Sequence, residues 1–391
     1  MRHKDQTIAW RTRLMGRPLA SLSCLHFLND GAANFLPGLL PLILVTLHES
    51  AGLAGLLMAA LLMGQALQPF FGLWADRLGG RALVVAGFLG TALGMGLVGL
   101  STHFALLLLA LALIGISNAA FHPQALAMAR SFERNETKGH AISVFLVGGE
   151  LGRGLSPWLV TLLVAGIGMP HLWILSALSI VSLLIAFPSI PRLPSRSAHA
   201  KPLTLRSKGA HLSALIGFAG LRSTVTYAVI TFLPLLWSAD GGSERNGALL
   251  IAAVIVSGIL GNVGGPRLAA RIGRQRVLFY ALLATGALLS LVLLLPWGVD
   301  WILLVVLGVA LFVPIALTVT IGQDLFPENR SLGAGLALGS ANGLGAVAMV
   351  ALGAVAGAYG LRFTLACVAA LAVCAAWLAK TLPDTNPASP A

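Results

Sequence analysis

Twelve apolar runs, each near the roughly 20 residues that an α-helix needs to cross a hydrocarbon core, follow one another along this chain with little between them. They fall at 20–46, 52–74, 82–100, 104–129, 140–165, 171–189, 211–237, 247–269, 277–296, 301–322, 331–357 and 361–380. Of the 391 residues 57% are apolar and 10% charged, and the mean hydropathy is +0.90. A soluble domain would carry about a quarter of its residues charged. The apolar surplus must therefore face lipid, which excludes an ordinary globular enzyme and predicts an all-α membrane protein with twelve transmembrane helices.

The junctions His48-Glu49-Ser50, Ser101-Thr102-His103 and Gly168-Met169-Pro170 are so short that the helices they join must be antiparallel neighbours. The exception is 190–209, with Pro191, Pro194, Pro202 and several basic residues. It reads as a linker between two six-helix bundles, 1–189 and 210–391. An internal repeat supports equivalent halves: at one constant offset, Arg77-Leu78-Gly79 recurs as Arg271-Ile272-Gly273, and Asn135, Gly139 and Gly149 recur as Asn329, Gly333 and Gly343.

The charges define a topology. When the runs are placed alternately across a membrane, nearly all of the 25 Lys and Arg collect on the face that holds both termini and the linker. Only Arg245 and Arg362 fall on the other face, and Arg153 and Arg222 lie within runs. The positive-inside rule then puts both termini and the linker in the cytoplasm of a multi-pass inner (plasma) membrane protein. The net charge of +12 is accounted for by topology, so no nucleic-acid partner is implied. The run after Arg17 is too long for the apolar core of a cleaved signal and reads as a retained first span. Cys24, Cys367 and Cys374 all lie inside apolar runs, which predicts neither a disulfide framework nor a metal site.

The loop after the second run reads Gly72-Leu73-Trp74-Ala75-Asp76-Arg77-Leu78-Gly79-Gly80-Arg81. It resembles the major facilitator superfamily signature G-x-x-x-D-R-x-G-x-R between helices 2 and 3. The second half keeps Arg271, Gly273 and Arg276 but has Ala270 at the acidic position. The resemblance implies two pseudo-symmetric six-helix bundles working by alternating access, with Gly72, Asp76, Arg77, Gly79 and Arg81 as a conformational latch. A narrower resemblance, to the fosmidomycin-resistance efflux branch, rests on His26-Phe27-Leu28-Asn29-Asp30, Pro37, Pro41, Phe121-His122-Pro123-Gln124-Ala125 and Val147-Gly148-Gly149. The chain departs from that branch at Glu150, where an amide is usual, and at Ser156-Pro157, where Gly-Pro is. The branch implies export of a small organic compound or drug.

Ionisable groups at membrane depth are costly unless they face a partner or a cavity. Four lie well inside the runs: Asp30, Glu150, Arg153 and Arg222. Asp30 has His26 and Asn34 one turn to either side on the same helical face. Glu150 and Arg153, three residues apart, are spaced to pair directly, either as a permanent structural pair or as part of a working site. Arg222 has no acid nearby on its own helix. Asn118 and His122 share a face of the fourth span beside Pro123, which is expected to kink it. Asp30 and Glu150 are the candidate proton carriers. Arg153, Arg222, His122, Asn118, His26 and Asn34 are the candidate substrate ligands, although the two histidines also suit plain hydrogen-bonded packing.

Other patterns carry no chemistry. Gly94-Met95-Gly96-Leu97-Val98-Gly99 fits G-x-G-x-x-G but sits inside an apolar span, where close helix packing explains it. There is no phosphate-binding loop, nucleophile constellation, Cys/His cluster or room for a nucleotide-hydrolysing domain. The expected function is secondary active transport, most simply proton-coupled efflux of a small organic compound by a monomer in contact with substrate, protons and membrane lipid. It needs no cofactor beyond a proton gradient. A proton-coupled importer of an organic anion remains the main alternative, because two intramembrane arginines suit an anion and an anion binds best beside a protonated carboxylate. A transporter-shaped receptor without flux is a second alternative, and a membrane-embedded enzyme a remote third.

Overall fold

The computed structural model describes residues 2–78, 80–132, 140–192, 209–297, 301–327 and 330–383, with side chains from residue 16 onward except at 73, 75–78, 140, 330 and 331. Among the described residues there are fourteen α-helices and no strand. The first crossing is built from two helices, α1 (Arg2–Asn34) and α2 (Leu36–Thr46), and the second from α3 (Ala54–Gln65) and α4 (Gln68–Leu78). The first half continues with α5 (Gly80–Leu100), α6 (Phe104–Arg130), α7 (His140–Ile167) and α8 (Trp173–Ala186). The second comprises α9 (Gly209–Ala239), α10 (Glu244–Ile272), α11 (Arg274–Leu294), α12 (Trp301–Leu325), α13 (Arg330–Tyr359) and α14 (Leu361–Ala379). Helix α1 begins well before the first apolar run. Most of the expected linker, 193–208, lies outside the described residues.

Composition explains the elements. Eleven segments contain a stretch apolar enough to cross a membrane. The remaining crossing, α7, is 28 residues long but is diluted by Glu150 and Arg153. The break at Phe35 starts a new helix with Pro37 in its first turn, where a missing N–H leaves no bond unmade. Pro123, by contrast, lies inside an unbroken α6. The apolar stretch of Met169–Ser189 is only 28% buried, and Leu184, Ile185, Leu294 and Ile302 are exposed. Such faces are stable only against acyl chains.

The two halves repeat one packing scheme. In the first half α1 lies along α7, α3 along α6 and α5 along α8; in the second, α9 lies along α13, α10 along α12 and α11 along α14. The molecule has a basic end, where α1 starts and α14 finishes, and a far end carrying the α2–α3, α9–α10 and α13–α14 junctions.

At the far end both halves share one core, in which Leu36, Leu40, Leu57 and Leu61 pack in a single cluster with Val229, Leu233, Ile251 and Met349. Toward the basic end each half has its own core. Leu25, Phe88, Phe121 and Phe145 form one, and Phe218, Leu278, Leu317 and Ile321 the other. The far-end seal depends on Gly55, where a Cβ would collide with the Met349 carbonyl and the Gly353 backbone. The halves also meet where Pro69 lies against Gly335 and Gly339 of α13.

Candidate functional site

Between these cores, α1, α6 and α7 bring their polar residues together around Asp30, which is 1% exposed. Its Oδ1 lies 3.1 Å from His122 Nε2 and accepts from Asn118 Nδ2 at 3.4 Å. Its Oδ2 accepts from Arg153 at 3.2 Å and lies 3.5 Å from His26 Nε2. Helical period alone put His26 beside Asp30, whereas Asn118, His122 and Arg153 arrive from elsewhere in the chain. Asn34 does not join them: its side-chain amide donates to the Asp30 backbone carbonyl at 2.8 Å.

Both imidazoles are fixed in orientation. His26 Nδ1 lies 2.8 Å from the Phe145 carbonyl and His122 Nδ1 2.9 Å from the Asn118 carbonyl. A carbonyl only accepts, so each Nδ1 carries the proton. The His26 ring stacks on Phe145 at 4.0 Å, in space left by Gly149, where any Cβ would strike the imidazole. Neutral, the two Nε2 atoms are acceptors. They lie 3.3 Å apart and both face a carboxylate, which also only accepts. With a lone pair of each imidazole turned toward the carboxylate, the three acceptors favour a proton or another cation among them.

Arg153 extends the network. It donates to Glu150 at 3.4 Å as well as to Asp30, so the expected pairing of Glu150 with Arg153 is present but shared. Glu150 Oε1 in turn accepts from Asn262 Nδ2 of α10 at 3.3 Å, which carries the network into the second half. Among the described residues Glu150 Oε2 has no hydrogen-bond partner. The Arg153 side chain is 28% exposed and His122 22%, so both can be reached from outside the packed interior.

Arg222 stands apart on α9. It is 5% exposed, its Nε has no hydrogen-bond partner, and it forms no ion pair among the described residues. Tyr227, on the same helix, donates through its hydroxyl to Asn342 of α13 at 3.1 Å. Asn262, Tyr227 and Asn342 were not singled out from sequence. The only available signal was a neutral polar side chain within an apolar run, which many packing residues share. Asn29, singled out in the sequence only as part of a motif, is 1% exposed, and among the described residues neither of its amide atoms has a hydrogen-bond partner.

Of the expected latch, Gly72 lies on α4 near Pro123. Gly79 falls outside the described residues, as do the side chains of Asp76 and Arg77. Arg81 donates to the Phe187 carbonyl at 2.5 Å, with its guanidinium 4.1 Å above the Phe187 ring. It thereby ties the start of α5 to the end of α8 within one half. In the second half, where Ala270 replaces the acid, Arg274 finds Asp324 of α12 at 2.5 Å. Cys24, Cys367 and Cys374 are free. The absence of metal-ligand spacing in the sequence did not anticipate that His26, Asp30 and His122 place ligand atoms within 4.8 Å of one another.

Residues 22–348 match the family model of the Major Facilitator Superfamily. The fosmidomycin resistance protein of Escherichia coli is 26% identical over 86% of this chain and 86% of its own. The multidrug resistance protein MdtG of Salmonella typhimurium is 26% identical over 76% of this chain and 75% of its own. Among solved structures, a variant of the nucleoside transporter NupG superposes with a TM-score of 0.78 at 18% identity, covering 94% of this chain and 99% of that one.

Proposed function

The chain belongs to the major facilitator superfamily of membrane transporters, and on that premise we propose that it exports a small organic compound in exchange for protons by alternating access. In this reading it is a monomer in the inner membrane with both termini cytoplasmic, and the proton gradient is its sole energy source. The observation that carries the reading is the shared arginine: Asp30, buried in the first half, is joined through Arg153 to Glu150, and Glu150 to Asn262 of the second half.

With both carboxylates ionised and both imidazoles neutral, Asp30, Glu150, Arg153 and Arg222 have no net charge. A neutral or cationic substrate that donates to Asp30 or Glu150 needs that carboxylate unprotonated, so substrate and proton compete, and competition at one site is what exchange requires. The arrangement of cores supports a form closed at the far end, with the site approached from the basic end. By the positive-inside rule that end is cytoplasmic, the side from which an exporter loads. The drug-resistance names of the two relatives favour the same direction.

Everted membrane vesicles test this. Adding a transported compound to energised vesicles should discharge the imposed pH gradient in proportion to flux, and Asp30→Asn should abolish the discharge. Accumulation that leaves the gradient untouched in the wild type would refute proton exchange. One observation favours the second reading, an importer of an organic anion: Arg222 is a buried cation with no acidic partner among the described residues. An anion would be drawn to it most strongly when Asp30 is protonated, so proton and substrate would travel together.

A further inference from the structure

We propose that His26, His122 and Asp30 form a three-ligand site for a divalent transition-metal ion of the zinc class, open at its fourth position. The geometry is that of a site built before the ion arrives. In a tetrahedral zinc site with bonds of about 2.0–2.1 Å, neighbouring ligand atoms lie about 3.3 Å apart. Here His26 Nε2 and His122 Nε2 are 3.3 Å apart, and the Asp30 carboxylate faces both, with Oδ1 3.1 Å from His122 Nε2 and the other oxygen, Oδ2, 3.5 Å from His26 Nε2; one atom from each of the three residues lies within 4.8 Å of the others, so a small turn of the carboxylate completes the site.

The surroundings fit an ion as well as the distances do. Metal-binding histidines hand their other ring N–H to a carbonyl or carboxylate, which sets the tautomer and aims the lone pair. Both imidazoles do this, through the Phe145 and Asn118 carbonyls. The stacked Phe145 ring and the absence of a Cβ at Gly149 hold His26 in that pose. The charge balance is tolerable because Arg153, the nearest cation, already has Glu150 as a second partner and can lean on it when Asp30 turns to the ion. His122 is 22% exposed, which leaves a side open for entry and for a fourth ligand such as water. Two imidazoles with one carboxylate suit zinc, cobalt or copper better than magnesium or calcium, which prefer all-oxygen sites.

The site uses Asp30 but does not depend on the direction or the coupling of transport. An ion bound there occupies the carboxylate, pins α1 to α6 and competes with whatever else the carboxylate takes up, so such ions should inhibit transport. The direct test is titration of tag-free, detergent-purified protein with Co2+ at neutral pH, followed by visible absorption and then by Zn2+ competition. The expected result is one ion per chain, with the intense absorption of four-coordinate cobalt, displaced by one equivalent of Zn2+. His26→Asn and His122→Asn should each weaken binding about tenfold or more, while His171→Asn and His211→Asn leave it intact. A wild-type titration without that absorption overturns the proposal whatever the variants do. Full-strength binding in folded His26→Asn or His122→Asn overturns it equally. Neither outcome bears on proton exchange, which the vesicle experiment reads separately.

Discussion

Asn262 of α10 donates to Glu150 of α7 at 3.3 Å, and through this bond the charged network of the first half ends on a residue of the second. An arginine-linked pair of carboxylates confined to one bundle could serve folding alone. One that reaches across to the bundle it must move against is placed to register relative motion. Asn262→Leu should therefore slow transport several-fold while leaving substrate affinity within about threefold of wild type. Initial rates and binding on the same preparation check this, and unchanged rates would remove the bond from the working cycle.

The Glu150–Arg153 pair has a second partner, so it should not tolerate reversal. Exchanging the two as Glu150→Arg with Arg153→Glu would set a carboxylate against the buried Asp30, where screening is weaker than in bulk water. The expected cost is on the order of 3 kcal/mol, the scale of a buried charge left without its partner, together with loss of transport. Thermal melting and flux measurements check it, and a reversed pair that melts and transports like the wild type would show that the two residues form a closed structural unit.

Arg222 yields a prediction of opposite sign. A buried guanidinium with no acidic partner among the described residues costs free energy in the empty protein. Replacing it as Arg222→Met should stabilise the empty transporter by on the order of 1–2 kcal/mol and raise KM at least tenfold. A higher melting temperature together with unchanged KM would mean that the arginine does not touch substrate. A lower melting temperature would mean that it has a structural partner after all.

Gly55 tests the far-end seal. In Gly55→Ala the methyl group would collide with the Met349 carbonyl and the Gly353 backbone, and backbone does not yield as a flexible side chain does. The form closed at the far end should be depopulated and turnover should fall severalfold, with the two separate basic-end cores unaffected. Solvent accessibility of cysteines placed near Leu40, compared between this variant and the wild type, reads the change. Equal accessibility would show that the contact does not limit closure.

The course of the chain through the membrane was legible because lipid imposes a rule that depends on composition alone: about 20 apolar residues, then a turn. The same rule shows why α7 is the weakest such signal, since Glu150 and Arg153 lie inside it. The break at Phe35 was harder to read, because Pro123, Pro157 and Pro234 lie inside unbroken helices while Pro37 begins a new one. Asp30, Glu150, Arg153 and Arg222 stood out individually because each is expensive in hydrocarbon. Their partners did not. That His122 and Asn118 meet Asp30, that Arg153 divides itself between two carboxylates, and that Asn262 closes the chain of bonds all depend on which helix faces which, and helical period says nothing of that. Arg81, expected as part of a latch, ties α5 to the end of α8, where Phe187 offers both its carbonyl and its ring.

The account rests on substrate and proton competing for Asp30. The most direct measurement is the proton count on substrate binding to purified protein in weakly buffered solution, read with a pH indicator. At a pH where the empty protein holds a proton at the site, release approaching one proton per substrate bound, lost in Asp30→Asn, is the predicted result. Uptake of protons on binding would contradict exchange and point to a proton and an anion carried together.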